Sequence, residues 1–343
     1  FKHAKGKWGK SVSSWAHKKF NPPSGSKRSK FVCFLTGHPV DVASGELIAE
    51  AIDFEFGGAI LPIQWERNYR SREGRHPILP SLSNKLTERT PALGPAWFHP
   101  YDSWIEEEQG GQAVYLSAAD GRPKAFGPLR FAGDTSWDPE DRQTLARTAR
   151  GYELIHQDGE RWIYTESEPR PGAARKVYLP VTILDPADNR IELSYEQGRL
   201  RLIRDAAGRV IECHWADQRL ESLWLLPADP ANQPQLLVRY AYQDGRLSRA
   251  TDARGFSMQY AWSGGVIIQE THKSGLQFHF AWDLDHPDGN CIRTWGENQL
   301  FDPSPGANNA LPRILFDRRI TYVKERRLTT VEDGRGGITR YHT

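Results

Sequence analysis

One short pattern recurs along this chain, and it limits what the chain can fold into. Tyr240–Trp262 reads YAYQDGRLSRATDARGFSMQYAW, and Tyr195–Trp215 reads YEQGRLRLIRDAAGRVIECHW. Gly275–Trp282 keeps the second half of the pattern, and Arg327–Tyr341 carries it once more. The full order is an aromatic, a Gly-centred turn, Arg-Leu, an Asp-x-x-Gly turn and another aromatic. Such self-similarity predicts stacked hairpins, which build scaffolds more often than pockets.

The chemistry of the recurring residues supports hairpins. Asp bonds nearby turn amides, and Gly supplies positive φ. Arg-Leu after the first turn sends a cation outward and a Leu inward on alternate faces. Gly255 is followed at five and seven residues by Tyr260 and Trp262, and Gly275 likewise by Phe280 and Trp282. Gly336 is followed at five residues by Tyr341. Aromatics two apart on a strand share a face. A lone hairpin cannot bury that face in water. The next hairpin must therefore stack on its edge, which yields a winding antiparallel sheet held by neighbour contacts.

Composition agrees with a β-rich chain: 12 Trp, 12 Tyr and 14 Phe stand against one Met. No stretch of eighteen apolar residues predicts a membrane span, and the first thirty residues lack the apolar core of a secretory signal. The start at Phe1 predicts a trimmed or processed chain. The net charge of +2 conceals an asymmetry. Nine Lys/Arg and no acid fall in residues 1–40, which leaves 36 basic against 43 acidic residues in the body. This basic arm reads as a solvated linker or an arm docked on the body, with nucleic-acid or membrane-surface binding as the alternative. Cys33, Cys213 and Cys291 are too few and too scattered for a zinc ribbon or a disulfide framework. Free buried thiols fit folding in a reducing cytoplasm.

Three segments are expected: an arm or plug over 1–37, an opening segment over 38–112, and a hairpin array over 113–343 with a loop insertion near 283–313. In the arm, Lys7–Phe20 predicts a short helix and Phe31–Leu35 a strand. Ile52, Phe54 and Phe56 alternate with Asp53 and Glu55 as a strand should. Asp120-Gly121, Asp158-Gly159 and the Asp185–Asn189 stretch predict hairpin turns between apolar runs.

With these residues in view, the chain resembles the Rhs family. The repeats look like the YD repeats of Rhs proteins, polymorphic-toxin scaffolds related to cocoon-forming toxin-complex components and to teneurins. Pro39 through Leu47, continuing to Phe54 and to Tyr69-Arg70-Ser71, resembles the segment that opens the Rhs core. The likeness covers about residues 36–343 and implies an all-β fold: repeated hairpins winding into part of a hollow β-cocoon. It implies a cage around a C-terminal toxin, made in the bacterial cytoplasm and delivered to competitor cells by a type VI-like system. The implied partners are that toxin, the rest of the Rhs core, a PAAR/VgrG-type secretion spike and a chaperone. Nucleic acid, a membrane span and cofactors are not among the expectations. The chain departs from the family in length and in lacking the Asp-Pro-x-Gly-Leu type cleavage motif; Asp302-Pro303-Ser304-Pro305-Gly306 matches it only in part and reads as a loop.

No enzyme motif is present: H-E-x-x-H, a P-loop and G-x-S-x-G are all missing. The eleven His are scattered, and His214, His272 and His279 read as structural. The repeat residues expected to shape the wall are Tyr195, Gly198, Asp205, Gly208, Tyr240, Gly245, Asp252, Gly255, Tyr260, Trp262, Gly275, Phe280, Trp282, Asp333, Gly336 and Tyr341. Two further readings stay open. Tyr260, Trp262, Phe280 and Trp282 could form a carbohydrate-binding or adhesion face instead of a core. By resemblance, the chain could also cut itself at His38–Pro39, with Asp41 and Glu46 polarising the peptide or else only capping turns.

Overall fold

The computed structural model describes residues 40–56, 61–72, 89–112, 114–117, 120–168, 174–298 and 313–342. The basic arm, its expected helix and strand, Cys33 and the His38–Pro39 bond lie outside these residues. The described chain is all-β and antiparallel, built as a small opening sheet, a roll and a long wall.

In the opening sheet, β1 (Ile48–Phe56) pairs with β2 (Ile63–Arg70), which pairs in turn with β3 (Trp97–Phe98). Ile63, Trp65 and Tyr69 are fully buried on β2, yet so is Arg67, and Glu66 and Asn68 are buried as well. β2 is therefore covered on both faces, and its polar residues must find partners inside the molecule.

The roll comprises β4 (Trp104–Glu107), β5 (Val114–Ser117), β6 (Pro123–Phe126), β7 (Thr135–Asp138), β8 (Gln143–Arg147), β9 (Gly151–Ile155), β10 (Arg161–Glu166) and β11 (Lys176–Leu184). β4, β5 and β6 pair in order, as do β7 through β11, and β11 also pairs with β4. Lys124 on β6 forms an ion pair with Asp138 on β7, drawing the two end strands together. Ile105, Val114, Leu116, Phe126, Leu145, Tyr152, Leu154, Tyr164 and Tyr178 fill the centre as a core of their own.

β11 is where the sheet branches. Lys176–Tyr178 pair with β4, while Thr182–Leu184 pair with β12 (Arg190–Glu196). Pro180, which has no N–H for a ladder, sits between those two pairings next to a bulge. From β12 the wall runs through β13 (Arg199–Arg204), β14 (Val210–Ala216), β15 (Arg219–Leu226), β16 (Gln235–Gln243), β17 (Arg246–Asp252) and β18 (Ser257–Ser263). It continues through β19 (Val266–Thr271), β20 (Gln277–Trp282), β21 (Cys291–Asn298), β22 (Arg313–Val323), β23 (Leu328–Asp333) and β24 (Ile338–His342). Each strand pairs with the next. The wall's Ile191, Ile211, Leu223, Val238, Tyr240, Tyr260, Phe280 and Trp282 share one core with Trp65, Tyr69 and Trp97 of the opening sheet.

Two expected boundaries move. β4 falls inside the expected opening segment 38–112 but pairs with β5 and β11, so the opening sheet gives way to the roll between Phe98 and Trp104. The insertion near 283–313 is not one loop, because Cys291–Asn298 is a wall strand between β20 and β22. Polar Arg293 and Glu297 alternate with buried Cys291, Thr294 and Gly296 there, which hides the apolar period that marks the other strands.

Candidate functional site: a repeat wall sealed by the opening sheet

The first turn of a repeat is a two-residue hairpin turn with positive φ at both positions. Gln197 and Gly198 have φ of 50° and 72°, Asp244 and Gly245 have 52° and 73°, and Gly264 and Gly265 have 56° and 102°. That backbone twist matches the twist of the flanking strands. In the second turn, one Asp carboxylate organises the loop. Asp205 Oδ1 accepts the amides of Ala207 and Arg209 at 3.0 and 2.8 Å. Asp252 holds Arg254 and Phe256 in the same way, and Asp333 holds Arg335 and Gly337. Gly208, Gly255, Gly275 and Gly336 take φ of 81–86° with open space where a Cβ would stand. The left-handed backbone, not crowding, is what calls for glycine there.

A further regularity joins successive strands. A bulge falls just before Tyr195, Trp215, Tyr242, Trp262 and Trp282. Past the bulge, four of these aromatics, all but Tyr195, reach back to a carbonyl on an earlier strand. Trp215 Nε1 donates to Leu200 O at 2.8 Å, Trp262 Nε1 to Leu247 O at 2.8 Å, and Trp282 Nε1 to Ile267 O at 3.0 Å. Tyr242 donates to Leu220 O in the same manner. Leu200, Leu220 and Leu247 are the Leu of Arg-Leu, so that dipeptide supplies a buried side chain and an acceptor together. Its Arg does more than point outward: Arg246 lies 5.1 Å from the centre of Trp262 and donates to Gly265 O. The fixed separation of 15 residues between these Leu and Trp was visible in the sequence; its hydrogen bond was not.

The opening sheet docks on this wall through a buried charged cluster. Arg67 gives Asp53 two hydrogen bonds, at 2.7 and 3.0 Å, and gives the Tyr260 hydroxyl one at 2.9 Å. Tyr240 donates to Asp53 at 2.5 Å and accepts from Trp65 Nε1 at 2.8 Å. The guanidinium lies 5.0 Å from the centre of Trp97. Burial alone would lower the Arg67 pKa, but the Asp53 carboxylate and the two phenols outweigh it and keep the cation charged. Tyr69 completes the dock by accepting the Ile267 amide at 3.1 Å. The repeat Tyr240 and Tyr260, expected as wall residues, thus also hold the opening sheet. Asp53 and Arg67 were missed, since an acid and a base fourteen residues apart carry no periodic signal.

Asp41 and Glu46 belong to the turn that leads into β1. Asp41 accepts the Ala43 amide at 2.9 Å and the Ser44 hydroxyl at 2.7 Å. Glu46 is fully buried and paired with Arg70 at 2.7 Å. The turn rests on the 283–290 loop and on β23: Cys291 N–H donates to Gly45 O, Thr329 Oγ1 to Val42 O, and Arg72 bonds both Ser44 O and Asn290 Oδ1. Pro39 lies outside the described residues.

The roll holds a second buried cluster. Glu107 accepts from Arg147 at 2.5 Å, Tyr178 at 2.6 Å and Tyr152 at 2.9 Å. Burial would raise its pKa, yet these hydrogen bonds hold it below the usual carboxylate range. Among the described residues, neither free thiol is activated. Cys213 and Cys291 are buried free thiols. Burial pushes Cys291 up to about 12 and Cys213 higher still, far from thiolate chemistry. Among the described residues, no group of His, Cys, Asp or Glu could hold a metal ion, and no helix is long and apolar enough to cross a membrane.

A family described as a domain of unknown function, DUF6531, matches residues 37–126. The chain is 24% identical over 277 residues to "Double-stranded DNA deaminase toxin A" of Burkholderia cenocepacia (strain H111), covering 78% of this chain and 19% of that protein. It is 28% identical over 292 residues to "Probable deoxyribonuclease RhsA" of Dickeya dadantii (strain 3937), covering 82% and 18%. Among solved structures, "Crystal Structure of TcdB2-TccC3-TEV" matches over 85% of this chain and 19% of that one, at 12% identity and a TM-score of 0.31. The chain spans less than a fifth of the length of these relatives. Over about 80% of its own length, this chain is a homologue of Rhs-family proteins, with the DUF6531 segment at its opening.

Proposed function

We propose that this chain is a wall segment of an Rhs-type effector, part of a β-shell that encloses a C-terminal toxin for delivery to competitor cells. One observation carries the reading: the ladder from β11 to β24 passes from strand to strand, and from β11 to β21 its apolar face shares one buried core with β1–β3. A sheet built that way serves as a partition. In this reading the wall isolates the toxin from the producing cell. The DNA chemistry in the relatives' names belongs to those whole proteins, and we assign no such step to these residues. The resemblance further supports a type VI-like route, with a spike and a chaperone as partners.

The complete gene product provides the test, by limited proteolysis with mass spectrometry. The expected result is a downstream domain that resists trypsin in the intact protein and is cut when Arg67→Met loosens the wall. A downstream domain cut as fast in the intact protein as when isolated would overturn the reading.

Self-cleavage at His38–Pro39 is kept as a second reading because Glu46 Oε1 is buried without a hydrogen-bond partner among the described residues. Intact masses of Pro39→Ala, Asp41→Ala and Glu46→Ala variants decide it; unchanged processing in all three removes it. The carbohydrate reading loses its platform, since Tyr260, Phe280 and Trp282 are buried in the shared core.

A further inference from the structure

In three hairpins the wall gives a backbone amide to the opening segment, each time from the same place in the repeat. Leu220 on β15 pairs with Trp215 across its bulge, Ile267 on β19 with Trp262, and Cys291 on β21 with Trp282. On the opposite side, the ladder to the next strand stops two residues short, at Ser222, Gln269 and Arg293. A residue's N–H and C=O face the same neighbour in an antiparallel sheet. Both groups of Leu220, Ile267 and Cys291 therefore face a gap where the next strand has parted, and all three residues are buried.

Each carbonyl is taken by an aromatic of that next strand. Leu220 O accepts from the Tyr242 hydroxyl on β16, Ile267 O from Trp282 Nε1 on β20 at 3.0 Å, and Cys291 O from the Tyr322 hydroxyl on β22 at 3.0 Å. Each amide goes to the opening segment instead. Leu220 N–H donates to Ala92 O at 3.0 Å, ahead of β3. Ile267 N–H donates to the Tyr69 hydroxyl on β2 at 3.1 Å, and Cys291 N–H to Gly45 O at 2.9 Å in the turn before β1. A buried amide left without an acceptor is costly, so the gap calls for an oxygen from outside the wall.

We propose that these amides form a docking row for the opening sheet, one that selects for oxygen acceptors, and that the row parts first at Cys291. The turn end carries the heavier polar cost. Glu46 Oε1, Arg70 Nε and Arg72 Nε are buried there without hydrogen-bond partners among the described residues, whereas beside Tyr69 the one such side-chain atom is Trp97 Nε1. Lifting the turn brings water to those three groups, which offsets the loss of the Cys291 bond. Tyr69 shares its strand with Arg67, whose buried pairing with Asp53 keeps it seated.

Native-state amide exchange in the whole chain, corrected for intrinsic rates, tests the row. Cys291 should exchange roughly tenfold or more faster than Ile267, while Asn290, whose N–H donates to Asp283 Oδ1 inside its own loop, stays protected. Tyr69→Phe removes one acceptor and should speed exchange at Ile267 by about tenfold, leaving Leu220 and Cys291 unchanged. Ile267 protection unmoved by that substitution would show that the opening sheet does not hold this amide, and would overturn the row. Cys291 exchanging no faster than Ile267, or only together with Asn290, would overturn the order of parting.

Discussion

The roll and the wall solve one problem in different ways. Each is a run of antiparallel hairpins with an apolar face to hide. The roll brings β6 and β7 together and encloses its own core, with Glu107 at the seam where β11 meets β4. The wall stays extended and borrows a separate sheet to cover it, fastened by Arg67 and Asp53. A self-enclosed roll should survive loss of its neighbours. A wall that relies on a lid should not. The difference explains why the repeats are regular and the roll is not: the wall must offer the same face strand after strand, whereas the roll need only fill one interior.

The largest effect should come from breaking the lid's fastening. Arg67→Met leaves the Asp53 charge buried without its partner and should cost about 3–5 kcal/mol, read as a shift in the denaturation midpoint. Adding Asp53→Leu should restore most of that loss, because an apolar pair can replace a buried ion pair at little cost. If the double variant is as weak as the single, the cluster matters for its shape and not for its charge. Glu107→Gln should cost about 2–3 kcal/mol by weakening three charge-assisted hydrogen bonds, and near-ultraviolet circular dichroism from Tyr152 and Tyr178 should report it while the wall keeps its signal. The Glu107 cluster should also answer acid. Glu107, held below its ordinary pKa, contributes stability above the unfolded value that is lost as pH falls through the lowered one. Exchange in the roll should therefore rise at low pH.

Smaller effects probe the repeat itself. Asp205→Ala removes an acceptor for two turn amides and should cost about 1–2 kcal/mol, visible in thermal unfolding. Trp262→Phe keeps an aromatic ring but loses the pyrrole ring with its donor to Leu247 O, for about 1–3 kcal/mol. An equal loss at Trp215→Phe would confirm that the bond belongs to the repeat, and a loss at one site alone would make it local.

Much of the wall was legible because its signals are local. The Asp and Gly of each turn, the Leu after Arg, and paired aromatics sit within a few residues of one another, and turn chemistry reads them directly. The strand Cys291–Asn298 was not legible, since its inward residues include Thr294 and Gly296 rather than large apolar side chains. The lid was hidden for another reason. Arg67 and Tyr260 are 193 residues apart, and no pattern along one chain links a buried arginine to a phenol in another sheet. The β4–β11 seam was hidden likewise, because strand pairing at a distance leaves no spacing to count.

The central claim is that the wall depends on the opening sheet and the roll does not. Hydrogen–deuterium exchange of wild type and Arg67→Met, resolved by peptide, tests it most directly. The account predicts that β1–β3 and β16–β19 lose protection together while β5–β10 keep theirs. Uniform loss across all three parts, or loss confined to β1–β3, would contradict it.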